Sequence, residues 1–62
     1  MNYHGDYKGW DIFTELIPHN GMLEVRARKD GELIKQKLFG YTEEEAVADM
    51  KLKIDEWKGQ NE

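Results

Sequence analysis

The chain contains no cysteine, no serine and a single proline, Pro18. Without cysteine there can be no disulfide, no thiolate nucleophile and no thiolate metal site. Secreted domains this small usually carry disulfide staples, so their absence points to a reducing, cytoplasmic setting. Without serine, the common hydroxyl nucleophile is missing as well. No glycine cluster spells a phosphate loop. The opening run MNYHGDYKGW has no apolar stretch, so neither a signal peptide nor a membrane span is expected. His4 and His19 have no adjacent carboxylate at ligand spacing and read as ordinary surface histidines. These absences together give the expectation of a chain that is not an enzyme and takes no metal or cofactor.

What is present suffices for one small core. The 62 residues are 39% hydrophobic and include two Trp, three Tyr and two Phe. That argues for a single folded domain and against wholesale disorder. The net charge of −4 is unevenly placed. Residues 1–42 balance, whereas residues 43–62 carry the whole excess of acid. An acidic chain is a poor non-specific nucleic-acid binder, but the balanced half leaves room for a basic surface.

Residues 1–7 show no period and read as a loose arm. From Lys8 to Ile17 the chain alternates, with Trp10, Ile12, Thr14 and Leu16 on one side and Asp11, Phe13, Glu15 and Ile17 on the other. A period of two means a strand. Pro18-His19-Asn20-Gly21 supplies a turn, and residues 22–29 alternate again. Asp30-Gly31 between alternating runs predicts a two-residue hairpin turn into a third strand, 32–39.

Such a turn dictates register. Lys29 then faces Glu32, Ala27 faces Ile34, Val25 faces Gln36 and Leu23 faces Leu38. One face collects Leu23, Val25, Ala27, Ile34 and Leu38, with Gln36 as a polar intruder. The other collects Glu24, Arg26, Arg28, Lys35 and Lys37. Turn chemistry and hydrophobic pattern agree.

Thr42-Glu43-Glu44-Glu45 is a capping box that opens a helix over residues 43–58. Three acids in its first turn suit the positive end of the helix dipole. Ala46, Val47, Met50, Ile54 and Trp57 fall on one stripe, while Ala48 and Leu52 lie opposite. Lys58 and Gly59 should end the helix and residues 60–62 should fray. The expected fold is α+β: a three-stranded antiparallel β-sheet with one C-terminal α-helix packed on one face.

The sheet face left open is the candidate site. Its central row reads Phe13, Arg26 and Lys35, flanked by Arg28 and Lys37. Cations that reach phosphates beside an aromatic that meets bases would make a nucleic-acid surface. The bland alternative is a solvated face whose charges pair across strands, with Phe13 stacked under Arg26. A second candidate surface is the outer side of the acidic helix, at Glu44, Ala48, Leu52 and Asp55, which would meet a protein. Pairing of a free sheet edge with a second copy, giving a homodimer, is a third route.

With these elements placed, the run Lys35-Gln36-Lys37-Leu38-Phe39-Gly40-Tyr41-Thr42-Glu43-Glu44-Glu45-Ala46 resembles the arm-type DNA-binding domain of phage and transposon integrases. The plant ethylene-response-factor domain is similar in plan. The resemblance implies a β-β-β-α fold whose open sheet face enters the DNA major groove, and it would cast Arg26, Arg28, Lys35 and Lys37 as DNA contacts. The chain carries no recombinase domain, so the implied role is binding without recombination. The stretch from Thr42-Glu43-Glu44-Glu45-Ala46 to Ile54-Asp55-Glu56-Trp57 also resembles the helix of HicB-type antitoxin modules, which implies a small protein partner. An acidic phage-type inhibitor is the remaining variant. All of these are small non-catalytic binding modules.

Overall fold

A computed structural model describes residues 1–57 as four strands and one helix. The strands are β1 (Asn2–Tyr7), β2 (Trp10–Ile17), β3 (Met22–Lys29) and β4 (Glu32–Phe39), followed by α1 (Glu43–Trp57). The sheet is antiparallel with spatial order β1-β2-β3-β4, so every strand pairs with its neighbour in sequence. The expected helix end at Lys58 and Gly59, and the tail after it, lie outside the described residues.

The β3–β4 hairpin forms as the sequence predicts. Asp30 and Gly31 both have positive φ, 47° and 84°, as a type I′ turn requires. Lys29 pairs with Glu32, Ala27 with Ile34, Val25 with Gln36 and Leu23 with Leu38. β2 joins β3 through the four residues Pro18 to Gly21, with Ile17 opposite Met22.

The expected loose arm is instead a strand, and the sheet has four strands rather than three. Two backbone devices hidden in the sequence create β1. Lys8 and Gly9 both take positive φ, 54° and 87°, and form a second two-residue turn. The second strand therefore starts at Trp10, not at Lys8. The register slips between Tyr3 and Asp6, so His4 and Gly5 together oppose Ile12. This is a β-bulge, and Gly5 accommodates it at φ 90°. The extra residue reverses the alternation, so both Asn2 and Tyr7 face the helix.

The core lies between the sheet and α1. Trp10, Ile12, Leu23, Val25, Ala27, Ile34 and Leu38 meet Ala46, Met50 and Ile54, all buried. Val47, Trp57 and Tyr7 pack around them. Trp10 and Trp57 meet edge to face with centroids 6.1 Å apart, and the Trp57 indole N–H donates to Glu32 at 3.0 Å. The helix opens on the expected capping box: the Thr42 N–H donates to Glu45 Oε1 and the Glu45 N–H to Thr42 Oγ1.

Leu16 shares a side of β2 with buried Trp10, Ile12 and Thr14 and yet is 64% exposed. It lies on the helix-facing side of β2, opposite buried Leu23. β1 ends with Asn2 opposite Thr14, so no strand flanks Leu16 on its outer side.

Candidate functional site

The open face carries the predicted rows. Asp11 sits opposite Arg28, Phe13 opposite Arg26 and Glu15 opposite Glu24. Across the next ladder, Arg26 faces Lys35, Glu24 faces Lys37 and Arg28 faces Leu33. Phe13, Arg26, Arg28, Lys35 and Lys37 are thus brought together on one surface.

Their interactions differ from a free basic platform. Arg26 does not cover Phe13. Its guanidinium donates to Glu15 at 2.6 Å and lies 3.4 Å from Glu24, and its side chain is only 29% exposed. Arg28 takes the place over Phe13, with its guanidinium carbon 5.7 Å from the ring centroid. Tyr3, from the unforeseen strand, packs on the same ring at 5.1 Å. The Tyr3 hydroxyl donates to Asp11 at 3.0 Å, and that hydrogen bond raises the phenol above the ordinary tyrosine range. Lys35 lies 3.9 Å from Glu24, whose side chain is only 12% exposed.

β1 also changes the charge of this face. Asp6 pairs with Asp11 in register and so shares its side. Acids concentrate on β1 and β2, at Asp6, Asp11 and Glu15. Bases concentrate on β3 and β4, at Arg26, Arg28, Lys35 and Lys37, against Glu24 alone. The face is neutral as a whole and basic only in its β3–β4 half. A depression of about 270 Å³ lies in that half, beside Phe13, Arg26, Arg28 and Leu33.

The two edges of the sheet are built differently. β1 is interrupted by its bulge and bound to the helix at both ends. Asn2 donates its side-chain amide to Glu43 at 2.9 Å. Its neighbour His4 reaches Thr14 Oγ1 at 2.7 Å. The Tyr7 hydroxyl donates to Asp55 at 3.0 Å, and Lys8 reaches the same carboxylate at 2.6 Å. The hydrogen bond to Asp55 holds the Lys8 ammonium above the usual lysine range.

β4 runs eight residues in regular register, without a bulge or proline. A two-residue hairpin closes on a hydrogen-bonded pair, here Lys29 and Glu32. Ladder bonds to β3 therefore fall on Ile34, Gln36 and Leu38. Leu33, Lys35, Lys37 and Phe39 turn their N–H and C=O groups to the outside. Leu33 is 50% exposed and Phe39 74%. Between β4 and the helix runs a cleft of about 470 Å³, lined by Ile34, Gln36, Lys53 and Trp57 among others. Gln36 Oε1 is buried with no hydrogen-bond partner among the described residues.

The helix candidates divide. Glu44, Ala48 and Leu52 share the outer side of α1 and are exposed, Leu52 at 62%. Asp55 is spent on Tyr7 and Lys8 and serves the fold. Among the described residues no three His, Asp or Glu side chains gather as a cation site. No helix among them is long and apolar enough to cross a membrane.

Sequence reasoning named a free sheet edge as a candidate without choosing which, and it did not single out Leu33 and Phe39, which look like ordinary strand residues. Only β1, which forms the opposite edge, shows how differently β4 is left. No protein-family model, curated protein or solved structure matches the chain.

Proposed function

We propose that this chain is a non-catalytic binding module, working in a reducing cytoplasmic setting, that docks an extended protein segment along β4. The observation that carries this reading is the edge of β4, free among the described residues: outward backbone groups flanked by exposed Leu33 and Phe39, while β1 is bulged and tied down. An added strand would take its main-chain hydrogen bonds from Leu33, Lys35, Lys37 and Phe39, and those two apolar side chains would anchor it.

The test is a peptide-display selection on the full chain, repeated on Lys35→Pro. Lys35 turns its N–H outward, so proline there blocks an incoming strand and spares the ladder to β3. The expected result is a set of extended apolar peptides that lose binding on Lys35→Pro while the thermal melt persists. Amide shifts of the bound chain should centre on residues 33–39. Peptides that bind Lys35→Pro equally well, or that shift Glu44, Ala48 and Leu52 instead, would reject the β4 edge in favour of the helix.

The segregation of Arg26, Arg28, Lys35 and Lys37 on the β3–β4 half supports a second reading, nucleic-acid contact through that half. A mixed-sequence DNA duplex titrated at low and then physiological salt separates the two. Shifts on those residues and Phe13 that fade with salt favour DNA.

A further inference from the structure

From the same edge we infer a specific occupant: a second copy of the chain, paired β4 to β4 about a two-fold axis at Gln36. The inference rests on the strand-docking reading and names its partner.

The argument is one of register. A two-fold axis relates identical strands antiparallel, so residue numbers across the junction sum to a constant. Hydrogen-bonded pairs must fall on the outward residues Leu33, Lys35, Lys37 and Phe39. With the axis at Gln36, Leu33 lies opposite the second copy's Phe39, and Phe39 opposite its Leu33. Both large exposed side chains of β4 are then covered on the open face. On the helix-facing side, Ile34 meets Leu38 of the second copy. Moving the axis to Lys35 or Lys37 sets Leu33 or Phe39 against a lysine and puts two identical lysines at the axis.

The residue on the axis adds an independent reason. Gln36 would form a non-hydrogen-bonded pair with itself, the pair type in which side chains approach most closely. Its Oε1 is buried and has no hydrogen-bond partner among the described residues of the single chain. A primary amide carries both a donor and an acceptor, so two Gln36 side chains turned toward the axis can satisfy each other. A polar residue set between Ile34 and Leu38 on the core side of an edge strand then has a role: it selects the register, as a single polar residue can in coiled coils.

The lysines set the strength. Lys35 would lie opposite the second copy's Lys37, and the reverse, with one Glu24 from each copy beside them. Opposed like charges weaken pairing and restrain promiscuous edges. Self-association should therefore strengthen as salt rises, opposite in sign to DNA binding.

Sedimentation equilibrium of the full chain, together with single-cysteine cross-linking, tests this. The parent has no cysteine, so each variant reports one position. The expected results are a mass that doubles with protein concentration and with salt, and its loss in Lys35→Pro. Gln36→Cys should oxidise to a covalent dimer at least tenfold faster than Lys35→Cys or Leu33→Cys, because only at the axis do identical residues come within disulfide reach. Equal rates at Lys35→Cys or Leu33→Cys overturn the register. A parent that stays monomeric yet selects peptides on β4 overturns the second copy and leaves the docking edge standing. A dimer that Lys35→Pro does not weaken overturns the β4 pairing, and the docking edge falls with it only if the selected peptides also bind Lys35→Pro equally well.

Discussion

β1 and β4 are both edge strands of one sheet, and they spend their outer backbone differently. β1 gives up regular pairing at Gly5, and the parity change turns Tyr7 toward the helix and Asp55. β4 keeps regular pairing along its length, and the helix leaves a cleft beside it. An edge that is bent and tied serves the fold. The other edge is straight, apolar at both ends and free among the described residues, which is why the strand docking proposed above is placed there.

Variants can break that contrast or sharpen it. The largest effect removes what both edges depend on. Met50 is fully buried under the sheet, and Met50→Ala should cost about 2–5 kcal/mol, enough to unfold much of so small a domain, read by thermal melting. Gly5→Ala should act on β1 alone. A side chain at φ 90° is strained whatever space surrounds it, at about 1–2 kcal/mol. Hydrogen exchange should quicken at residues 2–7 and stay unchanged in β4; equal quickening in both would erase the distinction between them. Phe39→Ser should change stability by no more than about 0.5 kcal/mol, because the side chain is 74% exposed, and yet weaken whatever β4 binds.

The smallest effect is alkaline. The hydrogen bond to Asp11 raises the Tyr3 phenol in the folded state. A group raised on folding stabilises fully below its unfolded pKa and loses that contribution as pH rises through the folded one. The Tyr3 contact should thus loosen only above the ordinary tyrosine range. Phenolate absorbance should show Tyr3 ionising at lower pH in Asp11→Asn than in the parent.

The same contrast explains what could be read in advance. The β3–β4 hairpin was legible because Asp30-Gly31 and the apolar alternation enforce one register independently. The helix stripe of Ala46, Met50 and Ile54 was legible because its period is clean. β1 was not, since Asn2 to Tyr7 lacks an aliphatic residue and a bulge breaks its period. Its hold comes from hydroxyl, amide and imidazole contacts to Glu43, Thr14 and Asp55, which alternation does not report. The open-face rows were legible, and so was the pairing of their charges across strands, but the neighbours of Phe13 were not. Arg26 turns to Glu15, and Phe13 lies under Arg28 and Tyr3, choices made by side-chain geometry rather than by spacing.

The strand order of the sheet repeats the order of the chain, and this governs how the molecule assembles. Each hairpin can zip outward from its own turn, at Lys8-Gly9, Pro18–Gly21 or Asp30-Gly31, on a timescale of about 1–10 μs. No strand waits for a distant partner, so low contact order should make folding fast for a β-rich chain. The long-range closures are those between α1 and the sheet, including Asn2 to Glu43 and Tyr7 to Asp55. Until they form, Ile12, Val25 and Ile34 lie on an uncovered meander, so helix docking is what completes the core.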